Sequence, residues 1–146
     1  MRRGVHGAAV ALTLLLVVSG CGTGRITGAA LQADIGPVFR NMYLLQQRWL
    51  GHDIPYTTAD TSVASCTKGG TSTPDVGPGD DWICVVHWPS PSGITEPISY
   101  DVRVQAGGCY TADGPATTIG QQNIQTPDGR SVPNPLYAFD GCLNVG

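Results

Sequence analysis

The sequence predicts an α+β domain in which one N-terminal amphipathic helix packs on an antiparallel meander of four to five strands, stapled by disulfides. Three observations favour this class. Apolar residues recur with a helical period in residues 36–50, the period changes to two from residue 82 onwards, and four cysteines form an even set after residue 60. The chain shows no internal repeat, so we expect one domain.

The first twenty residues have the pattern of a removable export signal. Arg2 and Arg3 form a basic start, and an apolar stretch runs from about residue 8 to residue 18 before small residues follow. This stretch is shorter than the roughly 20 apolar residues that a bilayer-spanning helix needs. We therefore expect residues 1–20 to be cleaved as a signal peptide.

The tetrad Val18-Ser19-Gly20-Cys21 ends this segment and resembles the lipobox of bacterial lipoproteins, which is an aliphatic residue, two small residues and a cysteine. The resemblance implies cleavage between Gly20 and Cys21 and lipidation of the Cys21 sulfur, with acyl chains such as palmitate. A two-chain anchor holds a protein stably on a membrane, whereas one chain is marginal. The alternative is an ordinary secretory signal in which Cys21 is incidental.

An amphipathic helix is predicted from about residue 36 to residue 50, after a flexible tether over residues 21–33. Pro37 suits the first turn and Gly51 suits the exit. The residues expected on its core face are Ile35, Val38, Phe39, Met42, Leu45 and Trp49. Leu44 is expected to point away from that face.

Two strands are predicted in the middle of the chain, over residues 82–88 and 97–106. The first is apolar on both faces, as in a central strand. The second alternates between apolar and polar residues, as in a half-exposed antiparallel strand. Gly107-Gly108 predicts a tight turn that places Cys109 at the start of the next strand.

The last third predicts weaker strands. Residues 116–124 are a possible strand, and a turn at 126–129 leads into residues 130–137. That segment contains two prolines, which cannot donate to a ladder, so we expect an edge or covering strand. Phe139 is expected to fill the core. The domain therefore extends over residues 34–146.

With Cys21 assigned to lipid, four cysteines remain, and an even set in an exported chain predicts two disulfides. They are Cys66, Cys84, Cys109 and Cys142. Three pairings are possible. We favour Cys66 with Cys84 and Cys109 with Cys142, because each pair brackets a turn-rich segment, while the crossed pairings stay open.

The net charge of the chain argues against a nucleic-acid partner. The sequence has 8 basic and 11 acidic side chains, and loss of Arg2 and Arg3 with the signal gives a net charge of about −5, which disfavours nucleic acid. The expected membrane link is the lipid on Cys21. Lys68 is the only lysine, and this residue usage is typical of high-GC, actinobacterial genomes.

The arrangement resembles small secreted actinobacterial lipoproteins of unknown function. The matching pieces are the helix over residues 36–50, Cys66, residues 77–84 and the Tyr-x-Val-x-Val pattern of residues 100–104. Cys109 and the tail after it are additions to that pattern. The resemblance implies an architecture and transfers no activity.

No catalytic constellation is recognisable in the sequence. It contains no GxSxG elbow, and His87 is expected to be a structural histidine bonded to the backbone within an apolar strand. His52 is expected to cap the helix end or to complement the helix dipole. Asp80 and Asp81 would point to opposite sides of a strand, which argues against a carboxylate dyad. We therefore expect neither an enzyme nor a cofactor.

Two surface features allow a second interpretation. Asp75, Asp80 and Asp81 could offer oxygen ligands to calcium, but their spacing does not match an EF-hand, so we favour a turn in a disulfide-closed loop. Four aromatic residues could form a binding platform, although core packing of the tryptophans is favoured. They are Tyr56, Trp82, Trp88 and Tyr110.

The sequence thus predicts a small lipoprotein anchored through Cys21 on the extracytoplasmic face of the cell membrane. We expect a non-catalytic module that binds an envelope protein or a cell-wall ligand. The alternative is a small envelope hydrolase with an unrecognised site.

Overall fold

The computed structural model describes residues 25–55, 63–70, 74–89 and 95–145. Within these ranges the elements are α1 (Gly28–Trp49), β1 (Val63–Lys68), β2 (Gly79–Pro89), β3 (Thr95–Val104), β4 (Cys109–Asp113), α2 (Ala116–Ile119), β5 (Asn123–Gln125), β6 (Ser131–Pro133) and β7 (Ala138–Cys142). The antiparallel main sheet has the order β1-β2-β3-β4-β7, and β5 pairs with β6 separately. Helix α1 packs on one face of the main sheet. The predicted α+β class is confirmed.

Helix α1 begins eight residues before the predicted start at Gly36. Its N-cap is Thr27, whose Oγ1 accepts a hydrogen bond from the backbone N–H of Ala30 (3.1 Å) and satisfies one of the free donors of the first turn. The predicted tether over residues 21–33 is therefore wrong from Gly28 onwards.

Tertiary packing explains why the helix extends through Pro37. An interior proline costs about 3 kcal/mol because its N–H is missing and its ring crowds the preceding turn. The extension buries Leu31 completely. It also brings Gly28 so close to β1 that a Cβ there would lie 2.6 Å from the carbonyl oxygen of Cys66. The early turns of α1 are thus part of the core.

The buried face of α1 agrees with the predicted face only in its middle. Ile35 and Phe39 are fully buried, as predicted. Leu44 was expected to point away, but it packs partly buried against the core. The buried residues from Leu31 to Tyr43 are spaced four apart, and each such step advances by about 40° around a helix with 3.6 residues per turn. The buried stripe therefore turns around the helix and leaves Leu45 and Trp49 outside it. Its members are Leu31, Ile35, Phe39, Tyr43, Gln46 and Gln47.

The end of α1 is a Schellman motif. Gly51 has a φ of 82°, a left-handed conformation that favours glycine. Its N–H donates to the carbonyl of Arg48 (3.1 Å), and the N–H of His52 donates to the carbonyl of Gln47 (2.8 Å). The predicted exit at Gly51 is confirmed, and it is the backbone N–H of His52 that caps the helix end.

Burial confirms the period of two in the middle strands. The face toward α1, called the inner face, carries the buried residues Trp82, Cys84, Val86 and Trp88 of β2 and Ile98, Tyr100, Val102 and Val104 of β3. The opposite, outer face carries exposed polar side chains such as His87, Asp101 and Arg103. The N–H of Gly108 donates to Gln105 O (2.9 Å) and closes the predicted turn before β4.

Residues 114–137 form an insertion between β4 and β7. The predicted strand over residues 116–124 is wrong, because its first half is the short helix α2 and only Asn123–Gln125 is extended. Ile119, the last residue of α2, is buried in the core. The segment with the prolines forms β6 and pairs only with β5. Phe139 is buried, as predicted.

The strands divide the domain into two ends. The helix-start end contains residues 25–27, the loop residues 69–70 and 74–78, the turn at 105–108 and the tail at 143–145. The helix-finish end contains the start of β1, the end of α1 and the insertion. Because β1 runs from Val63 to Lys68, these two residues lie about 17 Å apart along the domain.

Candidate functional site

The two disulfides pair as favoured from the sequence. Cys66 bonds to Cys84, and Cys109 bonds to Cys142. In each case the two cysteines are direct partners on neighbouring antiparallel strands. The strands β1 and β7 end the order of the main sheet, so each bridge ties a terminal strand to its neighbour.

The bridges lie on opposite faces of the sheet. Cys66 and Cys84 are buried on the inner face, with 5% and 0% of their surface exposed. Cys109 precedes the inward-facing Tyr110 and therefore lies on the outer face, where Cys142 is exposed. One bridge is thus part of the core, while the other faces solvent.

The predicted acidic cluster is organised by Lys68. The carboxylate of Asp75 accepts a hydrogen bond from the backbone N–H of Lys68 (2.6 Å), and the ammonium lies 3.7 Å from Asp81. The same ammonium donates to the carbonyl of Pro78 (2.8 Å). No group of three potential metal-binding His, Cys, Asp or Glu side chains occurs in the described ranges. Asp75 and Asp81 here stabilise the loop before β2.

The two histidines of the described chain lie at the surface of different elements. His87 shares the outer face with Ile83 and Val85, as the pattern predicted, but its side chain is exposed. The ring of His52 contacts Gln47, where Nδ1 lies 2.9 Å from the amide Oε1. Because an amide oxygen only accepts hydrogen bonds, Nδ1 donates to it.

The buried aromatics pack as core residues. Trp82 is fully buried and its Nε1 donates to the carbonyl of Gly77 (3.1 Å). Trp88 contacts Tyr43 and Phe39 edge to face, with centroid distances of 4.6 and 5.8 Å. The predicted core packing of both tryptophans is confirmed. Tyr56 and Cys21 lie outside the described residues.

A buried polar network that the sequence did not indicate joins α1 to the insertion. Asn134 Nδ2 donates to the carbonyls of Ile119 (2.8 Å) and Gln121 (3.0 Å). Its Oδ1 accepts from Gln46 Nε2 (2.8 Å) and from the N–H of Leu136 (3.1 Å). Asn134 is only 3% exposed, so these bonds hold the insertion against the helix. Its partners are 13 to 88 residues away, except for Leu136.

A second, partly buried contact joins α1 to β4. Tyr110 Oη donates to Asp34 Oδ2 (2.7 Å). Burial, the hydrogen bond to Asp34 and the negative charges of Asp34 and Asp140 all raise the pKa of Tyr110. Burial also raises the pKa of Tyr100, whose hydroxyl donates to the carbonyl of Leu136 (2.9 Å). These phenols are neutral hydrogen-bond donors in the folded state.

The outer face holds a shallow depression of about 270 Å³ that is lined by both polar and apolar side chains. Arg103, Thr111 and Asp140 stand in one row across three strands, and Arg103 pairs with Asp113 (3.2 Å). Ala138 also lines the depression. The alternation of β3 indicated that Arg103 points outward, but nothing in the sequence indicated which residues of β4 and β7 stand beside it.

This depression offers hydrogen-bond donors and acceptors of both charges on a rigid sheet. The exposed fractions of the Arg103 and Asp113 side chains are 68% and 46%, so their ion pair is solvated and contributes little to stability. Side chains exposed in this way can exchange their contacts for those of a polar ligand. We take the outer-face row of Arg103, Thr111 and Asp140, together with Asp113, as the candidate binding site.

Comparisons with known proteins add no assignment. No protein-family model matches the chain, and neither a curated protein nor a solved structure is significantly similar to it. Among the described helices, none is both long and apolar enough to cross a bilayer.

Proposed function

We propose that this protein is a lipid-anchored, extracytoplasmic module that binds an envelope protein or a cell-wall component without catalysing a reaction. The observation that carries the proposal is the tetrad Val18-Ser19-Gly20-Cys21 behind a basic and then apolar N-terminus. Cys21 is the residue that would be lipidated.

The disulfides support an extracytoplasmic location. Protein disulfides persist in oxidising compartments and are rare in the reducing cytosol. Both bridges of this domain tie a terminal strand to the sheet. Structural crosslinks of this kind fit a small exported domain with a modest core.

The candidate binding site supports the binding role. Helix α1 covers the inner face of the sheet, so the outer face is the side on which exposed side chains lie in register. Arg103 and Asp113 present a planar cation and a carboxylate on adjacent strands, and such groups recognise peptide and polyol ligands through hydrogen bonds.

The anchor is tested with Cys21→Ala in the full-length protein. Wild type should sediment with membranes and carry a diacylglyceryl mass on its N-terminal residue, whereas the variant should be released from the membrane fraction. Cys142→Ala serves as a matched cysteine control and should keep the anchor. Equal retention of wild type and Cys21→Ala in membranes would refute lipid anchoring.

The binding site is tested by crosslinking in intact cells. Arg103→Ala should lose the crosslinked partner that wild type captures. Arg130→Ala is the matched control, because Arg130 also forms an exposed ion pair, with Asp128 (2.7 Å), but in the insertion. Identical capture by both variants would refute the role of the outer face. Loss of a measured activity in His87→Ala or Asp81→Ala, with unchanged melting temperature, would instead support the envelope hydrolase.

A further inference from the structure

An exposed apolar residue lies at the helix-start end of the domain. The side chain of Val76 is 50% exposed, and the other large apolar side chain that is exposed in the described ranges, Val63 (58%), lies at the helix-finish end. Val76 lines a surface depression of about 320 Å³ together with Arg25, Ile26 and Gly77. This depression joins apolar surface to one exposed guanidinium group.

The loop that carries Val76 is held against the start of α1. The N–H of Gly28 donates to the carbonyl of Asp75 (3.0 Å), and the N–H of Gly77 donates to the carbonyl of Ile26 (2.9 Å). On the other side, Lys68 Nζ donates to the carbonyls of Val76 (3.4 Å) and Pro78 (2.8 Å). Val76 is therefore fixed beside the point at which the described chain begins.

The length of chain before this point is short. Four residue steps separate Cys21 from Arg25, and they span at most about 14 Å when fully extended. Helix α1 has 22 residues and is about 33 Å long. A lipid on Cys21 would thus hold the helix-start end close to the bilayer.

We propose that the surface around Arg25 and Val76 docks on the lipid bilayer and directs the helix-finish end away from the membrane. This proposal rests on the lipid anchor proposed above. The lipid supplies the affinity, while Val76 selects the orientation by placing an apolar side chain in the interfacial region. Arg25 faces the phosphate groups of the lipids.

The charge near Val76 indicates a contact that is mainly apolar. Arg25 and Asp75 are both exposed and carry opposite charges. Lys68 is occupied by Asp81 and by the loop carbonyls. We therefore expect the orientation to persist in vesicles without anionic lipid.

Two single-cysteine labels compare the ends of the domain. Val76→Cys and Val63→Cys replace the two exposed valines at opposite ends, and each receives the same environment-sensitive fluorophore in the lipidated full-length protein. Wild type should take up no label, since its cysteines are lipidated or bridged. The labelled proteins are bound to vesicles of phosphatidylcholine, with and without phosphatidylglycerol, and quenched by a spin label on the lipid headgroup.

The label at position 76 should lie within about 10 Å of the headgroup boundary and be quenched strongly. The label at position 63 should lie farther out by about the 17 Å length of β1 and stay water-exposed. Flotation of the vesicles is measured first. Failure to float would refute the lipid anchor and the orientation together. Flotation with equal quenching at both positions, or with stronger quenching at position 63, would refute the orientation alone.

Discussion

The two disulfides should respond very differently to a thiol reductant. Cys66 and Cys84 are buried on the inner face beneath α1, whereas Cys142 is exposed on the outer face. A thiolate must reach a sulfur atom to exchange with it. The bridge between Cys109 and Cys142 should therefore be reduced in the native fold, whereas the bridge between Cys66 and Cys84 can be reduced only after the domain opens.

The expected difference in rate follows from the free energy of opening. A domain of this size has a free energy of unfolding of about 5 kcal/mol or more, which makes the open form less abundant by roughly 10³-fold or more. Dithiothreitol at low concentration, followed by timed alkylation and peptide mass spectrometry, should show Cys109 and Cys142 modified first. Equal initial rates, or earlier modification of Cys66 and Cys84, would refute the placement of the bridges on the two faces.

Removal of either disulfide should lower the free energy of unfolding. The cysteines are 18 and 33 positions apart, and restriction of the unfolded chain then contributes about 3 kcal/mol for the inner bridge and about 4 kcal/mol for the outer one. Urea unfolding of the two double cysteine-to-alanine variants measures these values. In the variant without the outer bridge, the inner bridge should be reduced faster than in wild type, because the open form becomes more abundant as the free energy of unfolding falls.

Three further predictions concern buried polar groups. Asn134→Ala should lower the free energy of unfolding, measured in urea, by about 2–4 kcal/mol, because it leaves buried partners unpaired. The control is Asn123→Ala at an exposed position, which should change the same free energy by less than about 0.5 kcal/mol, as is usual for surface substitutions. Tyr110→Phe should cost about 1.5–3 kcal/mol by leaving Asp34 without its donor, and a value near zero would contradict the contact. Because burial raises the pKa of Tyr100 and Tyr110 in the fold, the stability they provide is complete below about pH 10 and falls above it by about 1.4 kcal/mol per pH unit for each tyrosine. Thermal unfolding between neutral and alkaline pH checks this slope, and a melting temperature that stays constant above pH 10 would contradict it.

The strands β2 and β3 were predictable because their signal is local, whereas β1 and β7 were not predicted. An alternation of apolar and polar residues marks the face that each side chain occupies, so Tyr100 and Val102 could be placed on the inner face from neighbouring residues alone. The turn before Cys109 was predictable for the same reason, since glycines favour it directly. The start of α1 was missed because Pro37 is an unfavourable local signal that burial of Leu31 outweighs.

The candidate binding site was only partly predictable. Arg103 could be assigned to the outer face, but its neighbours come from strands that follow after a turn and after an inserted segment of 24 residues, 114–137. Asn134 gave no sequence signal either, since a buried asparagine in a turn resembles an exposed one until its partners are known. Such contacts depend on strand register and on the path of the insertion.

By itself, the sequence determined a basic and then apolar pattern that ends at Cys21, an amphipathic helix, the period-two strands in the middle of the chain and an even set of four further cysteines. Each of these is a pattern among near neighbours. Only the tertiary structure decided which cysteines pair, which bridge is buried, where α1 begins and which side chains surround Arg103. Those features join residues that are distant in the chain, and their energies exist only when the helix and the sheet are packed together.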